Sequence, residues 1–234
     1  IRDRLTVFFS DIKDFTELTD RLEPEVLSSL LNSYLNEMSK IALKYGGTID
    51  KFVGDAILIF FGDPETNGEK ADATSCVLMA LEMRERMKFM RQIWEDEGIS
   101  KPLNIRIGIN TGYCNVGNFG SEDRLDYTII GGEVNLASRL ESNASVGQIL
   151  VSHETYSLIK NSITCEEREE INVKGLAHTV RTYQVIDKKE KNEKEVTKLK
   201  DNYEGFSLSI DLDVSRKAEV IASLENALAK IQKN

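Results

Sequence analysis

The sequence predicts a mixed fold, α+β or α/β, in which one sheet is covered by helices. Three observations predict it. Strand-like runs interleave with helical runs along most of the chain. Some successive strands are separated only by a tight turn, as at Gly54-Asp55, which makes them antiparallel neighbours. The longest helical run, 69–97, carries Cys76, Met79, Ala80, Met83, Met87 and Met90 along one stripe, the pattern of a helix laid on a core.

Taken in order, residues 5–9 are a short β-type run ending at Ser10-Asp11. Asp14 is placed to cap a helix, and Glu17 three residues on completes a capping box. Pro24 suits a first helical turn, and Val26, Leu27, Leu30, Leu31, Tyr34, Leu35, Met38 and Ile41 recur at helical spacing until Gly46-Gly47 stops the run. Residues 48–53 and 56–61 read as the two strands of a hairpin. After the long helix, 103–111 alternates as a strand with Ile105, Ile107 and Ile109 on one face. The Gly- and Asn-containing stretch 112–120 leads to a strand through 127–130, and Gly131-Gly132 opens a helix to about Asn143. Strand, helix, strand and strand follow to about Asp187.

These runs divide the chain into a main domain, 1–187, a linker rich in Lys, Glu and Asn, 188–204, and an appended strand and helix, 205–234. The appendage is marked by the alternation of Phe206, Leu208, Ile210 and Leu212, then by Val214, Ala218, Ile221, Leu224, Leu228 and Ile231 at helical spacing.

Composition narrows the function. A net charge of −9 argues against non-specific nucleic-acid binding, which needs a basic surface. An acidic chain can still hold a nucleoside triphosphate through metal ions and a few well-placed basic side chains. Cys76, Cys114 and Cys165 are scattered with no CxxC pair, which argues against a disulfide framework or zinc site and fits a reducing, cytoplasmic setting. Two histidines, His153 and His178, exclude a histidine-rich metal centre. The longest strongly apolar run, 56–61, falls far short of a membrane span. A start in strand-like sequence at Ile1 reads as a piece of something longer, with a regulatory domain expected N-terminal to it.

Two constellations carry chemistry. Asp11 closes one strand and Asp55 sits in a hairpin turn, so neighbouring strands would bring their carboxylates together. Such a pair, on a loop opening into a helix, would hold divalent cations and a phosphate chain. Singly, each has a commoner explanation, as a helix cap and as a turn residue. Asn135 and Arg139 are four apart on a helix and share a face, while Val134, Ala137 and Leu140 lie elsewhere and can pack. An amide and a guanidinium projecting together suit ribose and phosphate; the bland alternative is a solvated arginine with a polar neighbour.

In order, Phe9-Ser10-Asp11-Ile12 with Phe15-Thr16, the segment 51–55, Asn110-Thr111-Gly112, 126–139 and 171–175 make residues 5–186 resemble the class III nucleotidyl cyclases, the adenylate and guanylate cyclases. The resemblance implies a ferredoxin-like βααβ core sheet covered by helices, active sites between two catalytic domains, and two Mg²⁺ or Mn²⁺ ions per site. By position, Asp11 and Asp55 match the metal-binding aspartates, and Ile12 lends a backbone carbonyl to one metal. Asn135 matches the residue that orients the ribose, Arg139 the arginine that stabilises charge on the α-phosphate, and Lys174 the lysine that binds the terminal phosphates. Arg124, in the loop before Tyr127, is a further phosphate candidate.

Base selection rests on Lys51, which matches the adenine-accepting lysine where guanylate cyclases have Glu, and on Thr128, where many adenylate cyclases have Asp. A threonine hydroxyl can donate to an adenine ring nitrogen or accept from the exocyclic amine. The pair favours ATP over GTP and places the chain in a Thr-bearing subgroup associated with bicarbonate responsiveness. Asp14 departs from the family, which usually has Gly in that turn, and puts extra negative charge beside a triphosphate site.

The implied activity is an adenylate cyclase that forms 3′,5′-cyclic AMP and pyrophosphate from ATP by metal-assisted intramolecular phosphoryl transfer. The metal aspartates come from one copy of the chain and Lys51, Thr128, Asn135, Arg139 and Lys174 from its partner, which implies a homodimer. Lys51 speaks against a guanylate cyclase, and the complete residue set speaks against a catalytically dead regulatory domain. A GGDEF-type dinucleotide synthase is excluded by the missing Gly-Gly-Asp/Glu-Glu-Phe turn. A nucleotide-binding module without turnover is the bland alternative.

Overall fold

The computed structural model describes residues 1–96, 99, 103–121, 123–173, 179–189, 198–203, 206–211 and 217–231. The chain separates into two compact units, Ile1–Lys188 and Lys189–Asn234.

The first unit runs β1 (Arg2–Ile12), α1 (Phe15–Thr19), α2 (Pro24–Lys44), β2 (Thr48–Val53), β3 (Ala56–Phe61), α3 (Glu69–Asp96) and β4 (Ile105–Ser121). It continues with β5 (Arg124–Ile130), α4 (Gly132–Asn143), β6 (Ile149–Ser152), α5 (His153–Ile159), β7 (Ile163–Ile171) and β8 (Val180–Lys188). Its sheet has the order β2-β3-β1-β4-β6-β8-β7, with β5 paired to β4. The expected α+β sheet with a βααβ core is therefore present, and β1 is an interior strand of it, antiparallel to both β3 and β4.

Strand alternation splits the core between the two faces of this sheet. Phe8, Ile57, Ile59, Ile107 and Ile109 are buried on one face with Tyr34 and Met38 of α2 and Met79 and Met83 of α3. Leu5, Val7, Leu58 and Phe60 point the other way, with Val116, Ile129 and Ala137 of α4. The period of two in β1 and β3 thus builds both layers at once.

Three local expectations are corrected. The stretch 112–120 is no connecting segment: β4 runs unbroken to Ser121, paired first with β1 and then with β5. Its glycines weaken the strand signal, and ladder pairing on the sheet overrides that weakness. The capping box at Asp14 is absent. Asp14 enters α1 at φ 60°, in the left-handed region, with no side-chain cap, and its carboxylate instead meets Lys13 Nζ at 2.9 Å. Capping needs an extended backbone at that position. Finally, the stretch 188–204 is not all linker, because it contains β9 (Lys198–Tyr203).

In the second unit β9 pairs antiparallel with β10 (Phe206–Asp211), and α6 (Lys217–Ile231) follows. Ile221, Leu224, Leu228 and Ile231 of α6 are exposed.

Candidate active site

The C-terminal end of β1 gathers the first group of charges. The antiparallel register sets Asp11 directly opposite Arg106 of β4, and Ser10 opposite Ile57 of β3. Since β3 begins at Ala56, the turn before it delivers Asp55 beside the end of β1. There Asp55 Oδ2 accepts the backbone N–H of Ile12 at 2.8 Å. The two carboxylates that the sequence places 44 positions apart therefore meet through one strand pairing. Burial raises the Asp55 carboxyl above its ordinary range, and the nearby charge of Asp11 adds to the shift.

Arg106 supplies the local countercharge. Its Nη2 donates to Asp11 Oδ1 and Oδ2 at 3.1 and 2.9 Å, and its Nε to Oδ1 at 3.2 Å. The same Nη2 lies 2.9 Å from Glu141 Oε1, a close ion pair that falls outside hydrogen-bond geometry. Glu141 is buried on α4, and burial, with Asp11 beside it, pushes its carboxyl up to about 8.

Gly108 explains how α4 comes so close. A Cβ at this position would stand 2.2 Å from both Ala137 O and Glu141 N, so only glycine lets the helix backbone settle on β4. This contact fixes the helix's rotation. Leu136, Ala137, Leu140 and Glu141 are turned inward, whereas Asn135 and Arg139 are exposed. At about 100° per residue, Arg139 points some 160° away from Glu141 around the helix axis. The ribose and phosphate candidates therefore face away from their own chain's carboxylates.

The second cluster joins β2 to β5. The β2–β3 register slips between Ile49 and Lys51, so Asp50 is the extra residue of a β-bulge. The bulge aims the Asp50 carboxylate at β5, where Thr128 Oγ1 donates to Oδ2 at 2.7 Å and lies 2.9 Å from Oδ1, and Ile129 N–H donates to Oδ2 at 3.0 Å. Lys51 Nζ stands 3.2 Å from Asp50 Oδ1. Lys51 and Thr128 thus share one carboxylate.

Of the remaining candidates, Arg124 is exposed and 3.6 Å from Asp126 Oδ2, and Lys174 lies outside the described residues. Three residues of these clusters escape the sequence reading. Arg106 carried a usable signal, being the one charged residue in a strand whose other face is Ile105, Ile107 and Ile109. Glu141 follows Ala137 by one helical turn on the buried face. Asp50 carried none, because ordinary alternation would send it to the face opposite Lys51.

No group of three or more His, Cys, Asp or Glu is placed to hold a metal ion among the described residues. Nor is any described helix long and apolar enough to cross a membrane.

Residues 2–187 match the family model described as the adenylate and guanylate cyclase catalytic domain. The crystal structure of the adenylyl cyclase CyaB from P. aeruginosa superposes with a TM-score of 0.79 at 64% identity, covering 80% of this chain and 95% of that one. The guanylyl cyclase Cya2 superposes with a TM-score of 0.77 at 34% identity, covering 82% of this chain and 96% of that one. Among full-length relatives, the terminal-differentiation-specific adenylate cyclase of Dictyostelium discoideum is 35% identical over 202 residues, which is 84% of this chain and 9% of that protein. The chain spans 9%, 28% and 36% of the length of the first curated relatives it matches.

Proposed function

Because the chain belongs to the adenylate and guanylate cyclase catalytic-domain family, we propose that it is an adenylate cyclase forming 3′,5′-cyclic AMP and pyrophosphate from ATP. The observation that carries the reading is the division of its candidate residues into two groups that face apart. Asp11 and Asp55 gather at the end of β1, where Arg106 joins Asp11 to Glu141 on the buried side of α4, whereas Asn135 and Arg139 are exposed on that helix.

Catalytic domains of this family work with divalent metal ions. The first group fits them. Asp11 and Asp55 offer carboxylate oxygens and Ile12 a backbone carbonyl, an all-oxygen set suited to Mg²⁺ or Mn²⁺, with no histidine or thiolate to favour a softer metal. The Asp55 carboxyl is raised chiefly by burial, with the charge of Asp11 adding to it, and a bound cation would offset both. Two bound cations would supply a more acidic ribose 3′-hydroxyl and neutralise phosphate charge.

The chain's own residues do the rest. Arg139 stabilises negative charge that develops on the α-phosphate, Asn135 holds the ribose, and Lys174 with Arg124 holds the terminal phosphates. Lys51 donates to the adenine ring nitrogen, where guanine would present an N–H instead. The 3′-oxygen attacks the α-phosphorus and pyrophosphate leaves, with no covalent enzyme intermediate.

Because the two groups face apart, one copy cannot close a site and the working unit is a homodimer with two equivalent sites. Phe52 and Val53 at the hairpin tip, and Leu125, Tyr127 and Ile130 on β5, are exposed apolar side chains around the base cluster, a surface that a second copy would cover. The test is turnover of ATP against GTP with Mg²⁺ or Mn²⁺ in wild type and Lys51→Glu. Preference for ATP that weakens in the variant is expected; a wild-type preference for GTP would overturn the base assignment.

A further inference from the structure

We propose that Asp50 is a specificity-determining residue of the purine pocket, acting through Thr128 by fixing the direction of its hydroxyl hydrogen bond. This rests on the adenylate cyclase reading and goes beyond it. A threonine hydroxyl has one proton and two lone pairs, so by itself it can greet either a donor or an acceptor. Thr128 therefore discriminates adenine from guanine only if something decides where its proton points.

Asp50 decides it. Its side chain is 1% exposed, and the groups turned toward it are the Ile129 N–H, the Lys51 ammonium and the Thr128 hydroxyl. A carboxylate receiving an N–H and an ammonium is an acceptor, so the Thr128 proton must point at it. What Thr128 presents to a ligand is then its lone pairs. Lys51 presents the reverse: Asp50 Oδ1 engages one side of its ammonium and leaves N–H groups for a base.

The pocket edge thus reads acceptor at Thr128 and donor at Lys51. Adenine is its complement, with an exocyclic amine that donates and a ring N1 that accepts. Guanine reverses both, with a carbonyl O6 that accepts and an N1–H that donates. The β-bulge is what makes this arrangement available, since it brings the side chain of Asp50 to the same neighbourhood as that of its successor, Lys51.

In Asp50→Asn the amide oxygen can keep the Ile129 N–H at the Oδ2 position, which places the amide NH₂ at the Oδ1 position, 2.9 Å from Thr128 Oγ1 and beside the Lys51 ammonium. The Thr128 oxygen can then accept from that NH₂, so its proton is no longer committed to residue 50 and is free to turn toward the base, where it suits guanine O6. The kcat/KM ratio of ATP to GTP should fall about tenfold or more, the usual size of one reversed hydrogen bond. Purine riboside 5′-triphosphate keeps the ring N1 and lacks the exocyclic amine, so the same substitution should lower kcat/KM for ATP relative to this analogue.

A merely structural Asp50 would lower kcat/KM for all three triphosphates by a common factor, and unchanged ratios in Asp50→Asn would overturn the proposal. Thr128→Val keeps Asp50 and removes the hydroxyl, so adding Asp50→Asn to it should move the ATP-to-GTP ratio far less than in the wild-type background, leaving only what the Asp50 contact with Lys51 contributes. A further fall of the same size in that background would show that Asp50 does not act through Thr128. A wild type that prefers GTP overturns both this inference and the base assignment beneath it. A wild type that prefers ATP with unchanged ratios in Asp50→Asn overturns this inference alone.

Discussion

Asp11 and Arg106 face each other across the β1–β4 ladder, with the guanidinium 2.9 Å from the carboxylate. The pair is the first cation–carboxylate contact of the proposed metal site, and it is built into the register of the sheet. Glu141 closes the group from α4, again at 2.9 Å from Arg106. Three acids and one arginine are thus held by two strands, a hairpin and a helix whose approach depends on Gly108.

Gly108→Ala should damage both stability and turnover. Its methyl group would overlap the α4 backbone at 2.2 Å, and backbone cannot swing aside as a side-chain tip can. Overpacking of this kind costs about 1–3 kcal/mol or more. Because α4 carries Asn135 and Arg139, any retreat of the helix also displaces them. Chemical denaturation and kcat/KM on the same preparation check both effects.

Glu141 makes the metal-free domain sensitive to pH. Its carboxyl is raised from an ordinary 4.5 to about 8, so the folded state holds a proton that the unfolded state releases earlier. Stability therefore falls as pH rises through that window. Glu141→Gln removes the titrating group while keeping its shape. Melting curves at several pH values should show a flatter profile for the variant, with its advantage over wild type largest at the alkaline end. Equal slopes for the two proteins would contradict the assignment.

Asp14 sits at φ 60°, where a side chain with Cβ is strained and asparagine, aspartate and glycine are tolerated. The family's usual glycine at this turn now has a backbone reason. Asp14→Val should destabilise the domain by about 1–2 kcal/mol, since a β-branched residue resists this region. Asp14→Gly should stay within about 0.5 kcal/mol of wild type, because relieved strain is offset by the greater freedom of the unfolded chain. Thermal melts of the two variants test the contrast.

The periodic elements were legible from the sequence because their apolar residues had only one way to face. The stripe from Cys76 to Met90 and the alternation of Ile105, Ile107 and Ile109 both lie in the core as expected. The glycine-rich half of β4 was not legible, since its strand character comes from partners on either side and not from its own residues. Asp14 looked like a cap because residue type is visible in a sequence and φ is not. The candidate site divides the same way: Asp11, Asp55, Asn135 and Arg139 follow from motif order, and Arg106 stands out as the one charge in its strand, whereas its pairing with Asp11, the inward turn of Glu141 and the aim of Asp50 come from strand register, helix rotation and a bulge.

The most direct measurement mixes two inactive variants, Asp55→Ala and Arg139→Ala. Each alone should lose on the order of 10²–10³ or more in ATP turnover. In a mixed dimer, one site collects both substitutions and the other collects neither. Random exchange should therefore restore cyclic AMP formation to about a quarter of the wild-type level, since half the dimers are mixed and each has one intact site. No recovery in a mixture shown to exchange subunits, or full activity in either variant alone, would contradict a site built from Asp11 and Asp55 of one copy and Arg139 of another.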